Sequence, residues 1–184
     1  DFPDEVIFLM YHQVTELLLK LVTHELEQAT VAEGMTGAIL FEKIKRAQRY
    51  TEVAQMSFDV MREGMDPEQY NQFRHTLTPA SGFQSATFRE IEFFCTDLWN
   101  LVYAHKKDEM KGSQDIDELF NWIYWQAAGI DRKTGKKSLT LQQFEEKYLV
   151  GFKKLATTYQ TRNLWQQFVA LPEEEKTDEL IALL

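Results

Sequence analysis

The segment DEVIFLMYHQVTELLLKLVTHEL, residues 4–26, decides the fold because its apolar side chains are too many for one helical face. It predicts a helix that begins near Asp4 and runs to about Ala32. Since apolar residues cover more than one side, we expect this helix at the centre of the protein, with neighbours on several sides. Phe8 and His12 lie four residues apart, so their side chains project from the same face.

Helices are predicted along most of the remaining chain, because only four prolines and eight glycines interrupt it. No segment shows the alternation of a strand, and no internal repeat is found. The fold class is therefore all-α, a helical bundle, with one domain over residues 1–184. The further helices are predicted at about 38–63, 67–77, 83–107, 116–128, 140–159, 163–170 and 177–184.

Local signals place some of these boundaries. Asp66 followed by Pro67 is a typical helix start, with an N-cap and then a proline whose missing N–H costs nothing. Ser81 and Gln84 have the spacing of a capping box before the next helix. The polar stretch 106–117 is expected to be mobile.

Composition excludes several functional classes. The net charge of −9 and the pI of about 5.0 argue against a nucleic-acid or anionic membrane surface. Cys95 is the only cysteine, which favours a reducing, cytoplasmic environment over a disulfide framework. No uninterrupted apolar run reaches the length of a membrane span, and no signal peptide is recognised.

A metal centre formed by protein side chains alone is not expected. None of the four histidines follows a glutamate by three residues, and no Cys-x-x-Cys or His-Glu-x-x-His motif occurs. His24 and His105 stand beside charged residues and are predicted to be exposed. Glu16 follows His12 by one turn and could hydrogen-bond its ring. Alone, His12 is either a packed core histidine with one hydrogen bond or a side chain directed at a reacting group.

A second candidate face lies in the short helix after Pro67. Tyr70, Arg74 and Leu77 share one side of that helix and combine an aromatic ring, a guanidinium and an aliphatic chain. Such a set suits an amphipathic ligand, since arginine grips a carboxylate while the apolar groups pack a ring. The Ser81-Gly82 loop would add a hydroxyl and backbone N–H groups. The alternative is a surface arginine whose stem lies on apolar neighbours.

Two long stretches carry a family resemblance. Residues 4–26 and the segment YNQFRHTLTPASGFQSATFREIEF, residues 70–93, resemble the tryptophan 2,3-dioxygenase family. That family shows Phe-x-x-x-His-Gln-x-x-Glu-Leu and later Phe-Arg-x-x-Leu-x-Pro-x-Ser-Gly-Phe-Gln-Ser. After Cys95 the resemblance rests on weaker features such as Asn163-Leu164-Trp165. It implies an all-helical bundle of the indoleamine and tryptophan dioxygenase type.

The resemblance also implies an activity. Members are cytosolic, usually homotetrameric enzymes that use haem b and O₂ to convert L-tryptophan to N-formylkynurenine. By motif, Phe8 would pack on the indole and His12 would be the distal histidine that accepts the indole N–H. Arg74 would hold the substrate carboxylate. The other residues implied in substrate binding are Leu9, Met10, Tyr11, Tyr70, Leu77, Ser81 and Gly82.

The chain departs from the family pattern in two places. The family's axial haem histidine and the Gly-Thr-Gly-Gly loop that follows it are not found, and 133–136 is not that loop. An upstream segment with paired tyrosines is also missing. The chain thus resembles the N-terminal two-thirds of the enzyme, truncated at both ends, and a protein ending at Leu184 is expected not to hold haem in the family's manner. The alternatives are a dioxygenase for another indole and a haem-free helical domain that keeps the tryptophan pocket.

Overall fold

The described part of the chain is helical and contains no β-strand. This computed structural model describes residues 3–31, 34–77, 85–131 and 133–184, without the side chains of Val31, Thr76 and Leu77. Within these residues the α-helices are α1 (Pro3–Val31), α2 (Gly37–Ser57), α3 (Asp59–Arg62), α4 (Pro67–Phe73), α5 (Ala86–Cys95), α6 (Lys107–Met110), α7 (Ile116–Asn121), α8 (Leu139–Tyr159), α9 (Leu164–Ala170) and α10 (Asp178–Ile181). Short 3₁₀ helices follow or join them at Arg74–Leu77, Leu98–Leu101, Ala104–Lys106, Tyr124–Gly129 and Glu173–Glu175.

The predicted central position of α1 is confirmed for its second half only, because large apolar side chains of the first half are exposed. The second half of α1 packs against α2 and α5, and its side chains there are buried in a core shared with α9 and α10. The carboxylate of Glu25 lies in this interface and forms ion pairs with Lys43 (3.0 Å) and Arg46 (3.2 Å) of α2. The core consists of Val22, Leu26, Ala29, Leu40, Ile44, Ala47, Phe94, Tyr159, Leu164, Leu171 and Leu180.

A second core forms between α5, α7, α8 and the 3₁₀ turns that join them. Helix α5 contributes to both cores, because the adjacent Phe93 and Phe94 project to opposite sides. The two cores are therefore joined through one helix. The buried members of the second core are Phe93, Leu98, Val102, Met110, Leu119, Phe120, Ile123, Trp125, Leu141, Phe144, Phe152 and Ala156.

The predicted helix over 38–63 is interrupted at Phe58. The Ser57 hydroxyl donates to the Ala54 carbonyl at 2.8 Å, and this carbonyl would otherwise accept from the Phe58 N–H. The Phe58 N–H instead donates to the Gln55 carbonyl at 3.2 Å, a tighter turn. Serine hydroxyls that bond to the preceding turn in this way disturb a helix locally. The α-helix is therefore interrupted at Phe58, and α3 begins at the next residue, Asp59.

The predicted helix over 83–107 is wrong at both ends. It begins at Ala86, with Ser85 as its N-cap, and it stops at Cys95, where Thr96 is extended. The next residue, Asp97, accepts hydrogen bonds from the side-chain amides of Asn163 (2.8 Å) and Gln166. This distant tertiary contact fixes the end of α5. The predicted capping box at Ser81 and Gln84 lies outside the described residues.

Another helix boundary differs from its predicted position. The helix predicted over 116–128 ends at Asn121, since Trp122 accepts from the Tyr103 N–H and Ile123 pairs with Val102 in a single antiparallel bridge.

The stretch 106–117, predicted to be polar and mobile, contains α6. Its Met110 is only 3% exposed, which does not agree with a mobile segment. By contrast, α4, α8 and α9 start within a residue of their predicted positions.

Helix α1 meets the length and composition criteria of a membrane-crossing helix. Over an 18-residue window its mean hydropathy is 1.3. The prediction from sequence considered only uninterrupted apolar runs, and α1 contains polar residues between its apolar ones. It therefore did not identify α1 as a candidate. The core helix of a soluble protein passes the same test.

Candidate functional site

One face of α1 carries the two residues singled out by spacing. The rings of Phe8 and His12 lie 4.2 Å apart between centroids. The Nδ1 atom of His12 lies 2.8 Å from the carbonyl oxygen of Phe8 in the preceding turn. A carbonyl oxygen can only accept, so Nδ1 carries a proton, and in the neutral ring Nε2 is then the acceptor.

The start of α4 is held against the start of α1. The Asp66 side chain caps α4 by accepting from the N–H of Glu68 at 2.7 Å, as the Asp-Pro signal predicts. The Asp4 carboxylate accepts from the Asp66 N–H at 2.6 Å, and the Asp4 N–H donates to Gln69 at 3.4 Å. Asp4 is 8% exposed, so this contact is a buried polar junction between the two helices.

Aromatic side chains pack across the two helices beyond this junction. Phe8 lies 5.7 Å from Phe73 and 6.2 Å from Tyr70 between ring centroids, and Tyr70 and Phe73 meet edge-on at 5.5 Å. Such geometries are favourable for aromatic pairs. Of the second predicted face, they bring Tyr70 alone against the face of Phe8 and His12.

A cavity of about 460 Å³ opens beside this aromatic group. That volume lies within the usual range for small-molecule sites, about 300–1,000 Å³, and the lining is mostly apolar. Four lining residues were singled out from the sequence: Phe8, Tyr11, His12 and Tyr70. Five were not: Phe58, Met61, Arg62, Met65 and Pro67.

The five residues were missed because the sequence predicts one continuous helix there. Helix α3, which follows the break at Phe58, contacts α1, and the Phe58 ring lies 6.5 Å from that of Tyr11 between centroids. Phe58 is 56% exposed. The sequence feature that could have indicated these residues is the pattern Phe-x-x-Met-x-x-x-Met over residues 58–65.

The predicted anchor Arg74 does not line the cavity and its side chain is exposed, whereas Arg62, which the sequence analysis did not single out, lines it. Arg62 lines the cavity, and its Nη2 atom forms ion pairs with Asp59 (2.9 Å) and Glu63 (2.7 Å). Arg74 lies with its guanidinium carbon 5.9 Å from the centre of the Tyr70 ring, and its Nη1 donates to the neutral Asn71 side chain at 3.2 Å. Among the described residues no carboxylate pairs with Arg74, so its charge is free to meet an anion.

Other predicted site residues are not brought to the cavity. Leu9 and Met10 are 52% and 60% exposed on α1 and do not line it. The Leu77 side chain, Ser81 and Gly82 lie outside the described residues. The expected bond from Glu16 to His12 is wrong, because a Glu16 carboxylate oxygen accepts from the Ser85 hydroxyl at 2.7 Å and the ring is held by the Phe8 carbonyl.

No group of three or more metal-binding side chains occurs in the part of the chain that the structure describes. His24, His75 and His105 are exposed and none of them lines the cavity, as predicted for His24 and His105. His12 lines the cavity and is exposed, so the interpretation as a packed core histidine is wrong.

Comparison with known proteins gives a consistent result. The family model described as tryptophan 2,3-dioxygenase matches residues 1–182. Among curated proteins, the tryptophan 2,3-dioxygenase of Ruegeria sp. (strain TM1040) is 42% identical over 95 residues, which is 50% of this chain and 33% of the relative.

Other relatives match to the same extent. The protein of the same name from Polaromonas naphthalenivorans is 40% identical over 92 residues, 49% of this chain and 32% of the relative. That from Herpetosiphon aurantiacus is 42% identical over 92 residues, 49% of this chain and 35% of the relative. The matched region thus spans about a third of the length of these curated relatives. No solved structure matches the chain.

Proposed function

The chain belongs to the tryptophan 2,3-dioxygenase family, and from this premise we propose that its protein oxidises L-tryptophan with O₂ to N-formylkynurenine. The reaction opens the indole C2–C3 bond and places one oxygen atom of O₂ on each carbon. Within it, this chain provides the surface that binds and orients the amino acid. The observation that carries the proposal is the meeting of Phe8, His12 and Tyr70 around one cavity, with Arg74 placed over the Tyr70 ring and without a carboxylate partner among the described residues.

The indole ring is placed in the cavity between the aromatic and methionine side chains. There His12 Nε2 accepts from the indole N–H, because Nδ1 is occupied by the Phe8 carbonyl. Burial of the flat ring between Phe8, Tyr70 and Phe58 excludes water from the reacting bond.

The substrate carboxylate is placed on Arg74. A guanidinium that stacks on Tyr70 and has no acidic partner among the described residues can form two parallel hydrogen bonds to a carboxylate. One ionic anchor and one hydrogen bond to the ring together fix the orientation of the C2–C3 bond, which is catalysis by positioning. Leu77, Ser81 and Gly82 are proposed as further contacts on the resemblance alone.

Haem b is the cofactor that the family implies, and it would supply the oxygen chemistry. The roles proposed for this chain concern the substrate alone. The cytoplasmic location is supported by the single free thiol, Cys95. The two cores share α5, which supports a single domain over residues 1–184.

A homotetramer, as the resemblance implies, is supported by the outer face of α1. Large apolar side chains are exposed there along most of its first five turns, and such faces are typical of protein interfaces. Mass measurement of the native assembly tests this proposal. The exposed side chains are Val6, Ile7, Leu9, Met10, Val14, Leu17 and Leu21.

Calorimetric titration with L-tryptophan and with tryptamine, which lacks the carboxylate, tests the proposed site. Arg74→Ala is expected to weaken L-tryptophan binding by about 1.5–3 kcal/mol, the usual contribution of a hydrogen bond to a charged group. Tryptamine binding should hardly change. The matched control is Arg62→Ala, since Arg62 lines the same cavity but is paired with Asp59 and Glu63. Equal effects of the two variants, or no effect of Arg74→Ala, would remove Arg74 from the anchor role.

A further inference from the structure

The first turns of α1 and α4 exchange hydrogen bonds. The Asp4 carboxylate accepts from the Asp66 N–H at 2.6 Å, and the Asp4 N–H donates to the side-chain oxygen of Gln69 at 3.4 Å. The first N–H groups of a helix have no partner within it, so each of these helices supplies an acceptor for an N–H at the start of the other. Asp4 is 8% exposed, and its bond to Asp66 is therefore little weakened by competing water.

Asp66 connects this exchange directly to the cavity. Its carbonyl oxygen accepts from the Tyr70 N–H at 2.9 Å, one turn further along α4. Tyr70 lines the cavity, and so do Met65 and Pro67, the residues on either side of Asp66. Asp4 thus forms its hydrogen bond with the stretch of backbone that carries one wall of the cavity.

The opposite wall begins one turn after Asp4. Phe8 follows it by four residues, so the two side chains lie on the same side of α1. The Phe8 ring lies 6.2 Å from that of Tyr70 between centroids, and the Phe8 carbonyl oxygen lies 2.8 Å from His12 Nδ1. These contacts close a ring that runs from Asp4 across to α4, along α4 to Tyr70, and back over Phe8 to α1. A shift of α4 at this junction would therefore change the space between Tyr70 and the face of Phe8 and His12.

We propose that Asp4 is a positioning residue that sets the spacing of the two cavity walls for an indole ring. The inference rests on the proposed function and deepens it, because it concerns the selection of the substrate at the same cavity. Asp4 does not line the cavity and does not touch the substrate. It acts through the Asp66 N–H, which places Tyr70 opposite Phe8.

Three variants disturb the junction to different degrees. Asp4→Ala removes the acceptor of the Asp66 N–H. Asp4→Asn is the conservative variant, since its amide keeps an oxygen that can accept from the same N–H. Gln69→Ala, on the other helix, removes only the longer of the two bonds.

Two control variants separate positioning from charge and from stability. Glu5→Ala removes the other carboxylate in the first turn of α1, which does not line the cavity. Leu26→Ala removes a side chain that is 3% exposed in the core and lies outside the cavity. The second control lowers the stability of the protein, as large-to-small changes in a core do, and leaves the junction intact.

The measurement is the ratio of the affinities for L-tryptophan and L-phenylalanine, with thermal unfolding of each variant recorded in parallel. L-phenylalanine has the same amino and carboxylate groups but a smaller ring, so its binding depends less on the spacing of the walls. A fall in the folded fraction weakens both ligands alike and leaves the ratio unchanged.

Asp4→Ala is expected to lower this ratio about tenfold, the equivalent of one hydrogen bond to a charged group. Gln69→Ala should lower it about threefold, as for a weaker bond between neutral groups. Asp4→Asn should restore most of the loss and stay within about threefold of the wild-type ratio. Glu5→Ala and Leu26→Ala should leave the ratio unchanged.

The outcomes are distinct. An unchanged ratio in a folded Asp4→Ala protein overturns the positioning role and leaves the proposed function standing. An equal fall in Glu5→Ala or in Leu26→Ala also overturns it, because the effect would then follow charge or stability. Should Asp4→Ala not fold, an unchanged ratio in Gln69→Ala overturns the role instead. A wild-type protein without preference for L-tryptophan over L-phenylalanine contradicts the proposed function itself, and the inference falls with it.

Discussion

The Nδ1 atom of His12 lies 2.8 Å from the carbonyl oxygen of Phe8, and this contact fixes what the histidine can do. The proton on Nδ1 leaves the neutral ring a single acceptor, Nε2. A ring held in this way is suited to receive an N–H group from a ligand. The contact also explains why Glu16 is free to bind Ser85.

His12 should therefore distinguish a substrate with an indole N–H from one without it. The wild-type protein is expected to bind L-tryptophan more tightly than 1-methyl-L-tryptophan, and His12→Ala should lose about 0.5–1.5 kcal/mol of binding to L-tryptophan only. Calorimetry with both ligands measures this, with His24→Ala as the control because His24 is exposed away from the cavity. A preference that survives in His12→Ala would show that the indole N–H is bound elsewhere.

Phe58 should contribute to binding and little to folding. Its ring lines the cavity and meets Tyr11, yet it is 56% exposed. Phe58→Ala is expected to weaken L-tryptophan binding by about 1 kcal/mol, as for the loss of one aromatic contact, with a small change in the free energy of unfolding. Phe88→Ala, which removes a ring 43% exposed and outside the cavity, is the control. Equal binding losses in the two variants would place the ligand away from Phe58.

Two glycines should respond in opposite directions to replacement by alanine. A Cβ atom at Gly151, within α8, would meet nothing within 4 Å, whereas one at Gly37 would lie 2.2 Å from the backbone oxygen of Glu175. Gly151→Ala is expected to raise the free energy of unfolding by about 0.5–1 kcal/mol through helix propensity. Gly37→Ala should lower it by about 1–3 kcal/mol, since the start of α2 must move. Chemical denaturation measures both, and stabilisation by Gly37→Ala would contradict the packing of α2 on residues 173–175.

Cys95 should be unreactive in the folded protein. Burial raises the pKa of its thiol from 9.0 to about 11, and the Glu92 carboxylate acts in the same direction. At pH 8 the folded protein should thus react slowly with iodoacetamide, and the unfolded protein faster.

The same shift has a consequence for stability. Because the folded-state pKa is the higher one, this stabilisation is complete below about pH 9 and is lost as the pH rises toward 11. The free energy of unfolding should fall more between pH 9 and 11 in the wild-type protein than in Cys95→Ala. Parallel curves for the two proteins would show that the thiol is not desolvated.

Features with a local cause could be predicted from the sequence. The Asp66-Pro67 start, the shared face of Phe8 and His12, and the approach of Arg74 to Tyr70 each depend on residues within four positions of one another. Helical spacing and capping chemistry are sufficient to place them.

Features that depend on distant contacts could not be predicted. Helix α5 ends at Cys95 because Asp97 binds Asn163 and Gln166, more than 60 residues away. The Glu16–Ser85 bond spans a similar distance, and no spacing rule connects the two residues. Met61 and Met65 in the cavity lining were missed for another reason. They follow the interruption at Phe58, whose N–H donates to Gln55, and the sequence predicts a continuous helix there.

A crystal structure of the protein with bound L-tryptophan tests the central claim most directly. The account predicts the indole in the cavity between α1 and α3–α4, with its nitrogen about 3 Å from His12 Nε2 and its carboxylate in a two-point contact with Arg74. Tryptophan bound in another cavity, or in this one with its carboxylate away from Arg74, would contradict the account.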